Sequence, residues 1–421
     1  MQQQQSSRVV IRAARLIDGT GAAPLNDPVL VLQAGRVEAI CCGELPAHLA
    51  EGARWLDLPG KTLLPGLIDA HVHLVFDAGP NHAAVCQRLA EADDGYLLLR
   101  AQRNAQALLS AGVTTARDCG DRNWVTLTLR RAIEEGLVCG PRLLCCGPPI
   151  TTTAGHLHFC GNEVDSETEV RRAVRLAARR GADFIKVVVT GGMMTAGSNP
   201  RRSQFQLAEL KAAVSEAHRL GKRVAAHVLA TEGIAMALEA GVDTLEHCNW
   251  LGTEADSIDF QPALARDMAR SGVWWSHTCA GVYRELLPNA AAPEAEQEAQ
   301  GQALRAVMER FRRTLDAGAR MVLSSDAGVQ GTPFERFVDG LEVAVRGMEV
   351  SPLAAIEACT RVPAEALGLG EEVGTLTPGH RADVLVVDGD PSRDVGALRR
   401  VVMVLRDGEI VFRGESENGH A

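Results

Sequence analysis

One pattern recurs through the middle of the chain and limits what it can fold into. Between Leu63 and Leu369 a glycine repeatedly introduces a brief apolar run, as in AGVTTARD, RGADFIKV, LGKRVAAH, AGVDTLEH, SGVWWSH and AGARMVL. Runs this short and apolar read as strands buried on both faces. Eight strand candidates end near His73, Arg117, Cys146, Val189, His227, His247, His277 and Asp326. Between most of them lie Glu169 to Arg180, Leu207 to Leu220, Thr231 to Ala240, Gln302 to Ala317 and similar stretches. Their apolar residues recur at three- and four-residue spacing, the period of a helix. Strand then helix, eight times, predicts an α/β fold, a (β/α)8 TIM barrel, whose chemistry lies at the C-terminal ends of the strands. The rival is an open doubly wound sheet, which the missing Gly-rich dinucleotide loop after the first strand disfavours.

The two ends of the chain differ from this middle. Residues 9–18, 29–33, 36–40 and 54–58 read as short strands separated by Gly, Pro and Asn. The same texture returns at residues 382–387, 401–406 and 409–412, with Asp407-Gly408 as a hairpin turn. The expectation is a composite β-sandwich domain built from residues 1–62 with 372–421, around a barrel of residues 63–371.

Composition narrows the setting. Of 421 residues, 46% are hydrophobic and 23% charged, an ordinary globular balance. The net charge of −10 comes with no basic tract, so no nucleic-acid partner is expected. The 11 cysteines include no C-x-x-C and suggest neither a disulfide framework nor a zinc knuckle. Residues 1–7 lack the apolar core of a secretory signal, and no apolar run is long enough to cross a bilayer. The expectation is a cytoplasmic protein acting on a small molecule, with no membrane partner.

The polar residues at the strand ends carry the chemistry. In GLIDAHVHL, His71 and His73 are two apart on a strand and point the same way. Lys186 lies within strand four, His227 ends strand five, His247 ends strand six and Asp326 ends strand eight. In a barrel all six meet at one mouth. Imidazoles and carboxylates suit Zn²⁺ and its neighbours. The plainer readings are a snorkelled stem for Lys186 and a helix N-cap for Asp326.

From its β-rich start through PGLIDAHVHL to GHRADVLVVDGDP, the chain resembles the amidohydrolase superfamily of metal-dependent hydrolases. The resemblance implies a (β/α)8 barrel with a small β-sandwich from both termini. It implies that His71 and His73 hold a first divalent metal ion and His227 and His247 a second, with Zn²⁺ expected and Mn²⁺ or Co²⁺ as alternatives. Lys186 matches the lysine that carries a CO₂-derived carbamate bridging both ions. Asp326 matches the aspartate that binds the first ion and shuttles the proton from a metal-bridged hydroxide to the leaving nitrogen. A homo-oligomer is expected.

The substrate reading is a C–N amide bond in a dipeptide, an N-acyl amino acid or an aryl amide. A urea, carbamate or cyclic amide is the alternative, and a non-catalytic dihydropyrimidinase-like scaffold is the remote one. TGGMMTAGSNP after strand four resembles the dipeptidase and prolidase-like branch. His156, in the loop after strand three, is a candidate to polarise the substrate carbonyl, with His158 as its rival. Phe76, Met193, Met194, Trp250, Tyr283 and Phe334 are expected to line an apolar pocket. Trp250, in HCNW, is expected to narrow it and to favour aryl or phenylurea substrates. Arg201, Arg202 or Arg122 is a candidate partner for a substrate carboxylate. His277 is a candidate to support the ligands. His48, His82, His380 and His420 are expected to be bland, and His218 solvated.

Overall fold

The structure, a computed structural model, describes residues 8–278 and 294–414. Both ends of the chain enter one eight-stranded sheet. β1 (Val9–Leu16), β2 (Leu25–Asn26), β3 (Pro28–Gln33), β4 (Arg36–Cys42) and β5 (Arg54–Pro65) come from the first end. β14 (Val384–Asp388), β15 (Val401–Arg406) and β16 (Glu409–Arg413) come from the other. The order is β16-β15-β14-β5-β1-β3-β4, with β2 on β1. The two ends join where β14 runs antiparallel to β5, Leu385 opposite Leu64 and Val386 opposite Leu63. Ile11, Leu30, Leu63, Val384 and Leu405 pack one face into a core of their own.

The middle supplies eight parallel strands. β6 (Leu67–Val72), β7 (Val113–Asp118) and β8 (Arg142–Cys145) make one sheet. β9 (Ile185–Val188), β10 (Val224–Ala230), β11 (Thr244–Leu251), β12 (Trp274–Thr278) and β13 (Arg320–Ser324) make the other. Single parallel bridges, Ile150 to Val187 and Val72 to Ala327, link the two sheets at both edges. β6, β7 and β9 are buried along their whole length, as apolar strands covered by helices must be.

The helices follow their sequence signals. Ser166 accepts from the Glu169 amide to start Glu167–Arg180, and Gly181, at φ 87°, ends it. Thr231–Ala240 stops at Gly241 in the same conformation. A single residue, Gly66, separates β5 from β6. A Cβ there would sit 2.1 Å from Thr114 Oγ1, so only glycine lets β6 approach β7 this closely. The first histidine pair is therefore continuous with the terminal sheet.

Candidate active site

Strand geometry gathers the predicted polar residues. His71 is the penultimate residue of β6 and His73 follows that strand, His227 sits on β10, His247 on β11, and Asp326 lies two residues beyond β13. The His71 ring lies 5.3 Å from His73 and 5.0 Å from His247, centroid to centroid. The His227 ring lies 4.6 Å from His247 and 4.8 Å from His156. Asp326 Oδ1 is 3.4 Å from the Nε2 atoms of both His71 and His73. His71, His73 and Asp326 thus bring three ligand atoms within 4.8 Å of one another. Lys186, 2% exposed, lies within β9, and its Nζ has no hydrogen-bond partner.

Two of these residues hold uncommon backbone. His247 has φ 71° and Asp326 φ 61°, the left-handed region that side chains disfavour. Such strain persists only where the surroundings impose it, and it gathers at functional sites.

The outer nitrogens of the imidazoles are anchored. His71 Nδ1 is 2.8 Å from Glu246 Oε2, His73 Nδ1 3.1 Å from the Gly120 carbonyl, and His247 Nδ1 2.7 Å from Thr278 Oγ1. Donation outward from each Nδ1 leaves the Nε2 lone pair facing in, the arrangement of a metal-binding histidine. Glu246 is itself held by Arg117, whose guanidinium also donates to Ala70 O and Thr244 Oγ1. Burial pushes the Glu246 carboxyl up, but Arg117, Lys186 and His71 outweigh it and hold it well below the usual range. It is ionised and fixes the His71 tautomer. Arg117 and Glu246 were not among the predicted site residues. The signal was an arginine inside a buried strand, which demands an acid partner.

Burial keeps four of the imidazoles neutral. It lowers His71 to about 4 and both His247 and His156 to about 3, and it holds His227 well below its ordinary value. Burial alone would raise Asp326, yet His71, His73 and His247 hold it well below the carboxylate range. The groups are thus in the protonation states that bind cations.

These residues floor a cavity of about 1070 Å³, its open mouth included. His156 lines it and His158 does not. The Thr195 hydroxyl accepts from the Leu157 amide at 3.0 Å and lies 2.9 Å from His156 Nδ1. When that hydroxyl donates to Nδ1, the single proton of the neutral ring sits on Nε2. Gly192 passes so close that a Cβ would sit 2.3 Å from that Nε2. Phe76, Met193, Met194, Leu157, Leu229 and Phe311 supply apolar wall, and Asn249 and Gln330 polar wall.

Several expectations are corrected. Trp250 does not line the cavity. β11 continues through it to Leu251, so its ring is fully buried against Phe260, with Nε1 donating to Thr314 Oγ1 at 3.0 Å. Arg201 donates to the carbonyls of Gly252 and Ser257, Arg122 to those of Leu89 and Ala90, and Arg202 pairs with Glu232. All three tie loops together. Phe334 is buried outside the lining. His82, expected to be bland, lines the cavity from the start of the helix His82–Glu91. His218 is exposed, as expected, and pairs at the surface with Asp243 at 2.9 Å. Tyr283 lies outside the described residues.

The sequence pattern of the amidohydrolase family matches residues 62–411. The chain belongs to the amidohydrolase family. As an amidohydrolase it is a hydrolase of carbon–nitrogen bonds, and members of the family generally use divalent metal ions. It is 29% identical to the ochratoxinase of Aspergillus niger over 449 residues, covering 96% of this chain and 86% of the relative. It is 28% identical to an imidazolonepropionase of Salinispora arenicola, covering 84% of each. Among solved structures, a Xaa-Pro dipeptidase with methionine bound in its active site superposes with a TM-score of 0.81. That match has 28% identity and covers 97% of this chain and 100% of the other.

Proposed function

We propose that this amidohydrolase cleaves the C–N amide bond of a dipeptide, an N-acyl amino acid or an aryl amide at a centre of two divalent metal ions. Its two parallel sheets, bridged at both edges, are read as one (β/α)8 barrel of residues 63–371. The terminal sheet is read as a β-sandwich domain of residues 1–62 and 372–421.

The observation that carries the reading is Lys186. Its amine is buried without an acceptor, beside imidazoles held neutral. A bare ammonium is a poor occupant of that place. Combination with CO₂, with loss of a proton, converts the amine to an anionic carbamate with two oxygens. His71, His73 and Asp326 would then hold one ion, His227 and His247 the other, and Lys186 both. Two ions so held supply activation of water and polarisation of the scissile carbonyl.

The chain's own groups do the rest. Asp326 accepts the proton of the attacking water and passes it to the leaving nitrogen. His156, oriented by Thr195, donates from Nε2 to the carbonyl oxygen. The apolar wall of Phe76, Met194 and Phe311 excludes water from the reacting bond. Trp250, its ring buried outside the cavity, supplies no preference for aryl or phenylurea substrates.

Elemental analysis of protein purified without chelator is expected to give near two equivalents of divalent metal per chain. Reconstitution of metal-stripped protein, followed by metal content as well as turnover, is expected to depend on bicarbonate. One equivalent with full turnover, and no bicarbonate dependence, would overturn the two-metal reading.

A further inference from the structure

A second cavity backs onto the first and shares no lining residue with it. It holds about 1170 Å³, its open mouth included. Two chain segments form the partition. Phe76 and Thr332 face the catalytic cavity, while their neighbours Asp77 and Pro333 face the outer one. The helix Asp94–Ser110 supplies the far wall. Leu97, Ala101, Ala105 and Leu108 bury one of its faces in the core. Tyr96, Leu99, Arg100, Arg103, Asn104 and Ala107 recur at three- and four-residue spacing along the other, and all six line the outer cavity.

Most polar groups here are committed. Asn104 donates to the carbonyls of Leu74 and Phe76, both at 2.8 Å. Arg88 pairs with Asp77. Arg100 donates to Val75 O at 3.2 Å and lies over the Tyr96 ring, 5.0 Å from its centroid. Arg103 has no acid or carbonyl partner among the described residues, and Glu335, exposed at the rim, pairs with none of the three arginines. Three guanidiniums thus face two carboxylates in a chain whose net charge is −10. The apolar wall is equally unsatisfied. Phe334 is buried at its edge, but Leu99 is 71% exposed and Tyr96 57%. A concave surface with uncovered apolar side chains and a few convergent polar groups is the form of a small-molecule site. The planar fork of a free guanidinium matches a carboxylate.

We propose that this outer cavity is a second ligand site, separate from the catalytic one, for a small organic acid. Its carboxylate is held by Arg103 and Arg100, and its apolar body lies on Leu99, Tyr96 and Phe334. An occupant there abuts Asp77 and Asn104, which hold the segment from Leu74 to Asp77. Phe76, within that segment, stacks on His73 with centroids 4.7 Å apart. The ligand therefore bears on the backbone behind the first histidine pair.

The test is calorimetry on metal-loaded protein with 4-phenylbutyrate and, as the uncharged control, 4-phenyl-1-butanol. The acid is expected to bind the wild type roughly tenfold or more tightly than the alcohol, the worth of one hydrogen bond between charged groups. Arg103→Glu is expected to weaken the acid by a similar factor, and Leu99→Ser to weaken it by roughly threefold or more through lost apolar contact. Both side chains are exposed and distant from the ligand set, so both variants are expected to fold and to keep their metal content. If Arg103→Glu does not fold, Arg103→Gln carries the same expectation. No binding of the acid to the wild type, or equal binding of acid and alcohol, overturns the site. Equal binding of the acid to wild type and Arg103→Glu places the acid in the catalytic cavity and also overturns it. A loss in Arg103→Glu with none in Leu99→Ser reduces the effect to a surface ion pair and overturns it as well. None of these outcomes depends on the amide-hydrolase reading.

Discussion

Glu246 shows how much of a metal-binding site lies behind its ligands. The acid stands between the His71 ring and the Arg117 guanidinium, fully buried, and each group justifies the other two. Removing one member leaves a charge buried without its partner, which costs about 3–5 kcal/mol. Glu246→Gln is therefore expected to lower the denaturant midpoint and to loosen metal at the His71 side. Urea melts read the first effect and elemental analysis the second. A variant with wild-type stability and metal content would refute the role. Lys186→Ala tests the other pole of the site. If Lys186 carries the bridging carbamate, the variant folds, loses metal and turns over very slowly. Added formate, acetate or propionate restores part of both by occupying the vacated space. A folded variant with two ions and full turnover would exclude the carbamate. Asp326→Asn is expected to cost turnover by about 10²–10⁴-fold, as for a lost acid–base group.

At the scale of elements, the lesson is where strands stop. His71, His227, His247 and Asp326 were legible because each follows an apolar run too short for a helix, and parallel strands aim their C-terminal ends at one face. Trp250 was misplaced because HCNW reads as the start of a loop, whereas β11 runs on to Leu251. Hydrogen-bond register decides that, and hydropathy does not reveal it. Trp250→Phe is accordingly expected to cost about 0.5–1.5 kcal/mol for the bond to Thr314 and to leave substrate preference unchanged. A changed preference would return Trp250 to the pocket wall. His82 escaped notice for a similar reason. It sits in a loop-borne helix whose docking over the cavity no local period announces. The loop after β9 makes a sharper case. Gly192→Ala sets a methyl against the His156 ring, so kcat is expected to fall by at least tenfold with little change in melting temperature. An unaltered kcat would remove His156 from the reaction.

The whole molecule carries an unusual load of buried, neutral imidazole. His71, His156, His227, His247 and His277 all have folded pKa values below the unfolded value of about 6.5. The stability they contribute is present above that value and is lost as pH falls toward 4 to 3, because the unfolded chain takes up protons the folded one refuses. Each contributes at most about 1.4 kcal/mol per pH unit in that window. The buried acids oppose this. Asp69 is raised to about 7, Asp121 to about 6 and Asp118 well above its usual range, all chiefly by burial, so the folded state also takes up protons. Five imidazoles against three acids leave stability nearly level around pH 7 and falling from about 6.5 to 5. Chelator-treated protein melted in urea across that range is the measurement, and a midpoint that rises on acidification would contradict it.

The antiparallel seam between β5 and β14 has a consequence in time. Lys61 meets Asp388 across 327 residues of chain. A ribosome adding about 5–20 residues per second needs roughly 16–65 s to supply that partner. Throughout that interval one edge of β5 waits unpaired, one glycine away from the strand that bears the first two histidines. A bare strand edge invites pairing with a neighbouring nascent chain. Birth of this enzyme is thus a race between its own last strands and those of its siblings on the same message.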